Sequence, residues 1–538
     1  MTAQSIQAPV IAIIGAGSVG FTRTLMRDLL AVPEFAATEF RFQDISAHNL
    51  DMVATLCRRD VGANKLPAQI IATTDQREAV TGADFVIVTF RVGGLDAFQG
   101  DIDIPLRYGV DQCVGDTLCA GGIMYHQRNA PVFLKLCADI KAVAKPACRM
   151  LNYANPMAMN TWLCNTYGGV PTVGLCHGVQ GAHWQITQAV EHWLKSTGRL
   201  DKDYASPGRT LEDKSPELGH RFGMHRNEID VIAAGLNHQT WFTHVGFRGE
   251  DLTARLPEMM AAIPYFQRTE KVRLDVLNRF GYYSTESNGH LSEYLAWYRK
   301  RPEEITKWID MSSWILGETG GYLRVCTEGR RWFEHEYPTW LAEEPKPFGN
   351  RSEEHGSYII EALRTGRTYR GHFNVVNHGH ITNLPDGCVI EVPGYVDRTG
   401  LHTPVVGDLP LGCAATCSAS VRVQQLSVEA SYRGDANLLK LAMLHDPLVG
   451  AVCSPEEVWQ MADEMLVAQA QWLPQYAAEI PLAKARLAAH ERAGTRVRPS
   501  VSRGAARIEI KSTEQMEANR VQARANAGAT DKAAMTGH

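Results

Sequence analysis

The sequence predicts an α/β fold whose N-terminal part is a Rossmann-type, doubly wound parallel sheet. Three observations carry that prediction: the β-branched run PVIAII at residues 9–14, the glycine-rich turn GAGSVG at 15–20, and helical stretches alternating with further apolar runs. After the glycines, FTRTLMRDLL places Leu25, Met26, Leu29 and Leu30 on one helical face, so strand, tight turn and helix follow in order. FRFQD (40–44) reads as a second strand ending in Asp44. DFVIVTF (84–90) reads as a third, covered on both sides because it does not alternate. A helix over 130–143 precedes RMLNYANP (149–156) and TVGLCHG (172–178), two more strands whose exits point at the crevice where open parallel sheets collect ligands.

At 538 residues the chain divides into more than one domain. The expected units are a dinucleotide-binding domain over 1–200, a mixed α+β substrate- and metal-binding domain over 201–492, and a disordered tail over 493–538, rich in Ala, Gly, Arg, Ser and Thr. The polar insertion 201–220 marks the first boundary, and the helix around 457–473 is the last packed element expected. A formal net charge of -5 with 21% charged residues gives no electrostatic reason to expect nucleic acid or a membrane as partner. The N-terminus lacks the basic region of a signal peptide, and no stretch approaches the apolar length of a membrane span. Twelve cysteines without the spacing of a disulfide framework fit a reducing compartment, so the cytoplasm is the expected address.

Gly15, Gly17 and Gly20 fit G-x-G-x-x-G, with Ser18 and Val19 inside the turn. The first glycine permits the turn, the second lets backbone approach a pyrophosphate, and the third lets helix and strand pack closely. Asp44, at the end of the second strand, suits the ribose hydroxyls and would repel a 2′-phosphate, which favours NAD over NADP. Cys176 and His238 each end a strand-like segment. A thiolate with an imidazole suits a borderline divalent ion such as Mn²⁺, Co²⁺ or Ni²⁺, leaving positions open for a sugar diol. Taken singly, either residue reads as an ordinary interior side chain. Tyr283, Glu286 and His290 fall in the polar, aromatic cluster YYSTESNGHLSEY, to which spacing alone assigns no role.

Nearly the whole chain before the tail resembles glycoside hydrolase family 4, and within it the branch of the melibiose-type α-galactosidases and the α-glucuronidases. The resemblance runs through GAGSVGFT, ADFVIVTFRVGG (83–94), GDTLCAGGIM (115–124), LNYANPMAMNTW (151–162), GLCHGVQG (174–181), GLNH (235–238), YSTESNGHLSEY (283–294), TNLPDGCVIEVPGYVD (382–397) and WLP (472–474). It implies a lactate- or malate-dehydrogenase-like fold, NAD and Mn²⁺ or another divalent ion as cofactors, and a homo-oligomer. The implied reaction is α-glycoside hydrolysis by oxidation at sugar C3, elimination across C1 and C2, addition of water and re-reduction, rather than by a carboxylate pair.

Residue by residue, the resemblance places Cys176 and His238 as metal ligands, Asn155 on the sugar and Asn152 near the nicotinamide. It puts His177 at the leaving group and Asp116 at the sugar or metal shell. Glu286 is the first choice for the C2 base and Tyr283 the second. The chain departs from the branch in reading CAGGIMYHQRN (119–129) where GPGGI and an Arg-x-x-Arg pattern are usual, and in having Gly178, a variant of the α-glucuronidases, where α-galactosidases more often have Ser. His126 and Arg128, with His290, are therefore expected to line the substrate pocket. The balance leans slightly to a sugar altered at C6, a glucuronide or sulfoquinovoside, over an α-galactoside. Two other readings stand beside this one: an NAD-dependent hydroxy-acid or sugar dehydrogenase, and a non-catalytic nucleotide-sensing protein.

Overall fold

The first five strands of the N-terminal half turn the expected run of β-branched and aromatic residues into a parallel sheet, to which a sixth attaches. These are β1 (Val10–Ile14), β2 (Glu39–Gln43), β3 (Gln69–Thr73), β4 (Phe85–Val88), β5 (Arg149–Asn152) and β6 (Thr172–Gly174). They lie in the order β3-β2-β1-β4-β5-β6, with all five pairings parallel. The order reverses direction between β1 and β4, so the crevice beyond the carboxyl ends of these two strands is the topological switch point where ligands bind in such sheets. A computed structural model describes residues 7–212, 218–311, 317–345, 347–498 and 504–529.

Alternate residues of β1 face opposite sides. Ala12 and Ile14 join the core that also holds the helix Cys119–Val143, whereas Ile11 and Ile13 pack with Leu25, Met26 and Leu29 of the helix Val19–Leu30. Burial on both faces is why the strand reads as an unbroken apolar run. The edge strand β3 was not expected. Its residues are mostly half-exposed, so the sequence QIIAT carries no strong burial pattern.

The second half does not build a separate sheet. The strands β7 (Ile229–Leu236), β8 (Gln239–Phe247), β9 (Glu250–Asp251), β10 (Tyr283–Ser284), β11 (Tyr369–Val376), β12 (Val389–Asp397) and β13 (Gly400–His402) continue the first one antiparallel, in the order β6-β11-β12-β7-β8-β10. β13 pairs with β12, and β9 with β8. Two of these junctions rest on one residue pair each: Gly174 with Asn374 between β6 and β11, and Gly235 with Glu391 between β7 and β12. β11 and β12, by contrast, pair along their length from Tyr369 with Val396 to Val376 with Val389.

The helix expected over 130–143 begins at Cys119, and its first residues are buried although they read as polar and glycine-rich. A Cβ on Gly121 would lie 2.8 Å from the Gly115 carbonyl oxygen, and one on Gly122 would lie 2.5 Å from the Thr117 backbone, so glycine here admits a close packing of loop on helix. The tail also departs from expectation. Residues 504–506 lie against Asp111 and Thr319, and the helix Thr513–Ala529 packs on the helix Gly321–Ala342. The apolar content is low, but the segment is held by polar contacts that composition does not reveal. The rest of the expected tail beyond 498 lies outside the described residues. Among those described, no helix is long and apolar enough to cross a membrane.

Candidate active site

The nucleotide loop lies where β1 hands over to the helix Val19–Leu30. Gly15 has φ +89 and donates its N–H to Gln43 O at 2.8 Å, and a Cβ there would lie 2.6 Å from Phe90 N. Glycine is required at this position on both counts. Gly17 donates its N–H to Asp44 Oδ2 at 2.9 Å, and Asp44 Oδ1 accepts from Ser46 N at 2.9 Å, so the acid is pinned at the loop. Ser18 is the helix N-cap, and its side chain makes no capping bond. The first-turn amides of the helix are thereby left to an anion, and the N-terminal end of the helix dipole favours one. Beside Asp44, Ile45 is 92% exposed, an apolar face suited to a base. These features fit a dinucleotide. The reason expected for Gly20 does not hold, because a Cβ there would meet nothing within 4 Å.

The second cluster forms where β6 exits at Cys176 and where the two-residue turn Asn237–His238 joins β7 to β8. His238 sits at φ +64 in this turn, a left-handed conformation suited to tight hairpins. One donor atom from each of Cys176, His238 and Glu286 lies within 4.8 Å of the others, and the same holds for Asp116, His238 and His290. Thr117 Oγ1 donates to Asp116 Oδ1 at 2.9 Å, and it lies 2.8 Å from His238 Nδ1. With its one proton given to Asp116, the hydroxyl accepts from Nδ1–H, which leaves Nε2 with a free lone pair. Burial pushes His238 down to about 4 and lowers His290, so both rings are neutral donors. Burial, reinforced by the Glu286 and Glu391 carboxylates, pushes the Cys176 thiol well up, a cost that a bound cation would offset. A soft sulfur and an imidazole nitrogen converging in this way, with a carboxylate beside them, fit a borderline divalent metal.

Around this cluster, Asn155 Nδ2 donates to Asp116 Oδ2 at 2.8 Å. His177 caps the helix Gly178–Ser196 with its side chain 71% exposed, and its Nδ1 lies 3.7 Å from Glu354 Oε1. A Cβ on Gly178 would lie 2.6 Å from Glu286 Oε1, so glycine at this position admits the carboxylate against the helix start. Cys176, His177, His238, Glu286, His290, Asp116 and Asn155 are thus brought together.

Four expected site residues lie elsewhere. His126 is fully buried between Asn160 Oδ1, 2.9 Å from its Nδ1, and Ser431 Oγ, 3.0 Å from its Nε2. Arg128 is fully buried too and forks onto Asp101 at 2.8 and 2.6 Å, with Gln469 Oε1 at 2.5 Å. Each belongs to its own interior polar network, because residues two apart on a helix face nearly opposite sides: His126 turns toward Asn160 and Ser431, and Arg128 toward Asp101 and Gln469. Asn152 spends its amide internally: Nδ2 donates to Met157 O and Thr161 Oγ1, and Oδ1 accepts from Ala154 N. It braces the turn before the cis Asn155–Pro156 bond rather than meeting a cofactor. Tyr283 is buried in an apolar core beneath the Arg273 guanidinium and donates to Gln185 Oε1 at 3.1 Å, so its hydroxyl is spent in the interior.

Several residues of the site had no expected role. Thr117 and Tyr294 flank His238; Tyr294 OH lies 3.4 Å from its Nδ1. Glu293 binds the backbone of the loop before Asp116: Oε2 accepts from Cys113 N at 2.8 Å and Val114 N at 3.1 Å, and Oε1 accepts from Gly115 N at 3.3 Å. Arg91 lies between the rings of Phe98 and Tyr125, with Nη2 3.9 Å from Asp116 Oδ2, and its buried Nη1 has no hydrogen-bond partner among the described residues. His355 Nε2–H donates to the Cys176 carbonyl at 3.1 Å, and Tyr369 OH donates to His355 Nδ1 at 2.7 Å. Glu391 accepts from Thr240 and Asn374 behind Cys176, and burial pushes it up to about 7. For Thr117, Tyr294, Glu293, Arg91 and Glu391 the sequence signal was position within the stretches that carry the family resemblance, whereas His355 and Tyr369 lie outside those stretches.

Residues 10–192 match the family described as "Family 4 glycosyl hydrolase", and residues 233–449 match its C-terminal domain. The chain is 55% identical over 522 residues to an α-galactosidase of Rhizobium meliloti (strain 1021), covering 96% of this chain and 99% of that protein. It is 30% identical over 473 residues to an α-galactosidase of Bacillus subtilis (strain 168), covering 87% of this chain and 99% of that one. Among solved structures, the 6-phospho-β-glucosidase of Thermotoga maritima with manganese, NAD⁺ and glucose-6-phosphate shares the fold. Its TM-score is 0.64 at 22% identity, over 86% of this chain and 99% of that one.

Proposed function

We propose that this chain, which belongs to family 4 of the glycosyl hydrolases, hydrolyses α-galactosides with NAD and a divalent transition metal as its cofactors. The observation that carries this reading is the convergence of Cys176, His238 and Glu286 with Asp116 and His290 on the sheet whose β1 turn is built for a dinucleotide. When bound, the nicotinamide supplies a hydride acceptor for the sugar and the metal supplies a Lewis acid that makes the neighbouring C–H acidic.

The chain's own residues do the rest. Cys176 and His238 would hold the metal, and the Asp116–Thr117 pair keeps the His238 lone pair on Nε2. Asn155, fixed by Asp116, and the unpaired Nη1 of Arg91 are donors for sugar hydroxyls. Glu286, held against the bare Cα of Gly178, takes the C2 proton. His177, exposed and with Nδ1 3.7 Å from Glu354 Oε1, gives a proton to the leaving oxygen.

Of the sequence features that favoured a substrate altered at C6, His126 and Arg128 lie in the interior, and Gly178 lies against the Glu286 carboxylate. With these features so placed, the relative at 55% identity tips the choice to galactose. All twelve cysteines are free thiols, which supports a reducing compartment. A homo-oligomer is proposed with them, and its test is the mass in solution by light scattering.

The deciding experiment offers aryl α-galactoside, α-glucuronide and α-sulfoquinovoside to the purified protein with NAD⁺ and Mn²⁺, following released sugar and NADH together. Galactoside cleavage without net NADH is expected, slowed by deuterium at C2 and abolished by chelation. Faster uronide or sulfoquinovoside cleavage would overturn the choice of sugar. Stoichiometric NADH would make the protein a dehydrogenase.

A further inference from the structure

The single-pair junctions of the sheet fall on one transverse row. Gly174 of β6, Asn374 of β11, Glu391 of β12 and Gly235 of β7 lie side by side. Thr240 of β8 sits opposite Gly235. Both metal-ligand carriers leave the sheet within three residues of this row, Cys176 two residues after Gly174 and His238 three after Gly235. Close approach is built in at both ends. A Cβ on Gly174 would lie 3.0 Å from Asn374 Cβ, and Gly235 takes φ +156, with a Cβ there 2.4 Å from Gln239 O. Where backbone pairing is thinnest, side chains take over: Asn374 Nδ2 donates to Glu391 Oε1 at 3.2 Å, and Thr240 Oγ1 donates to Glu391 Oε2 at 2.6 Å.

Glu391 is nearly inaccessible at 2% exposure, and no Lys, Arg or His among the described residues pairs with it. A buried carboxylate with only neutral donors is costly unless an opposite charge comes to it. Its neighbourhood holds Cys176 and Glu286, two of the groups that converge on the metal position. We infer that Glu391 is a positioning residue for the metal: it ties the Cys176 and His238 carriers together across the sheet, and its negative charge is balanced by the divalent ion they hold. This inference rests on the metal reading above and extends it to a residue that does not touch the ion.

Glu391→Gln separates charge from spacing. Asn374 Oδ1 is buried without a partner, so turning the Asn374 amide lets it accept from the introduced NH₂ while Thr240 still donates to the remaining oxygen. Mn²⁺ is titrated by electron paramagnetic resonance into the full-length protein with saturating NAD⁺. Glu391→Gln is expected to lose about 10- to 100-fold in Mn²⁺ affinity, the range found when groups behind metal ligands are changed. NAD⁺ affinity and the melting temperature of the metal-free protein should not fall. Thr240→Val, which removes the hydroxyl shared between Glu391 and the Leu236 carbonyl and keeps the charge, is expected to lose less. Wild-type Mn²⁺ affinity in Glu391→Gln would overturn the inference, as would an equal loss in Thr240→Val or a parallel fall in NAD⁺ affinity and melting temperature. Failure of the wild-type protein to bind Mn²⁺ would overturn the metal reading itself.

Discussion

Arg91 and Arg128 differ in how fully each guanidinium is paired inside the protein. Arg128 makes a two-pronged pair with Asp101, both side chains at zero exposure, and Gln469 closes the network. Arg91, stacked between two rings beside Asp116, keeps a buried N–H without a partner. Replacing Arg128 with Met strands the Asp101 carboxylate and should cost about 3–5 kcal/mol of stability, read as a fall in melting temperature. Replacing Arg91 with Met removes a charged donor worth about 1.5–3 kcal/mol to a bound acceptor, so KM should rise about 10- to 150-fold with the melting temperature little changed. If Arg128→Met kept its stability and lost substrate affinity instead, the two assignments would have to be exchanged. The sequence points to Arg128, retained from the Arg-x-x-Arg pattern, and gives Arg91 no role. What separates them is the hydrogen-bond ledger of each guanidinium, which for Arg128 depends on Asp101 and on Gln469, 341 residues away in sequence.

At the scale of elements, the β1 turn was readable because everything it needs is local: a strand, glycines at fixed offsets and an acid one strand later. The loop before the helix Cys119–Val143 was not, because its shape is imposed from a distant helix. Glu293, in the helix Asn288–Tyr294, collects the N–H groups of Cys113, Val114 and Gly115, and so sets the path of the chain into Asp116 and Thr117. Glu293→Gln puts a donor among these donors, at about 1–3 kcal/mol for each N–H left unmet. Amide exchange at 113–115 should speed up and kcat should fall, since Asp116 and Thr117 orient His238. NAD⁺ affinity should hold, because the glycine loop belongs to another element. Unchanged exchange and turnover in this variant would mean that the loop keeps its shape without Glu293. The same reasoning explains β3, an edge strand with half-exposed residues, and β7 to β13, whose membership of the first sheet depends on pairings that no local pattern announces.

Across the whole molecule, the C-terminal segment closes back on the loop that carries the site. Ala505 N donates to Asp111 Oδ2 at 3.1 Å, while Asp111 Oδ1 holds Arg299 at 2.6 Å and the Thr319 hydroxyl at 2.8 Å. Thr319 N donates to Ala506 O at 3.0 Å, and Ala506 is 5% exposed. Farther along, Arg507 pairs with Asp103, Lys511 N donates to Glu328 Oε1, and Arg520 pairs with Glu336. The ion pairs are partly exposed and worth less than about 1 kcal/mol each, whereas a backbone bond to a buried carboxylate contributes about 1.5–3 kcal/mol. Ending the chain after residue 498 should therefore lower stability by about 2–4 kcal/mol, most of it lost around Asp111 and Thr319 rather than along the exposed helix. Because Asp111 lies five residues before Asp116, amide exchange over 110–117 should accelerate and KM should rise, with NAD⁺ affinity unchanged. Composition alone favours a loose appendage, and a truncated protein with the same melting temperature and the same exchange at 110–117 would vindicate that reading.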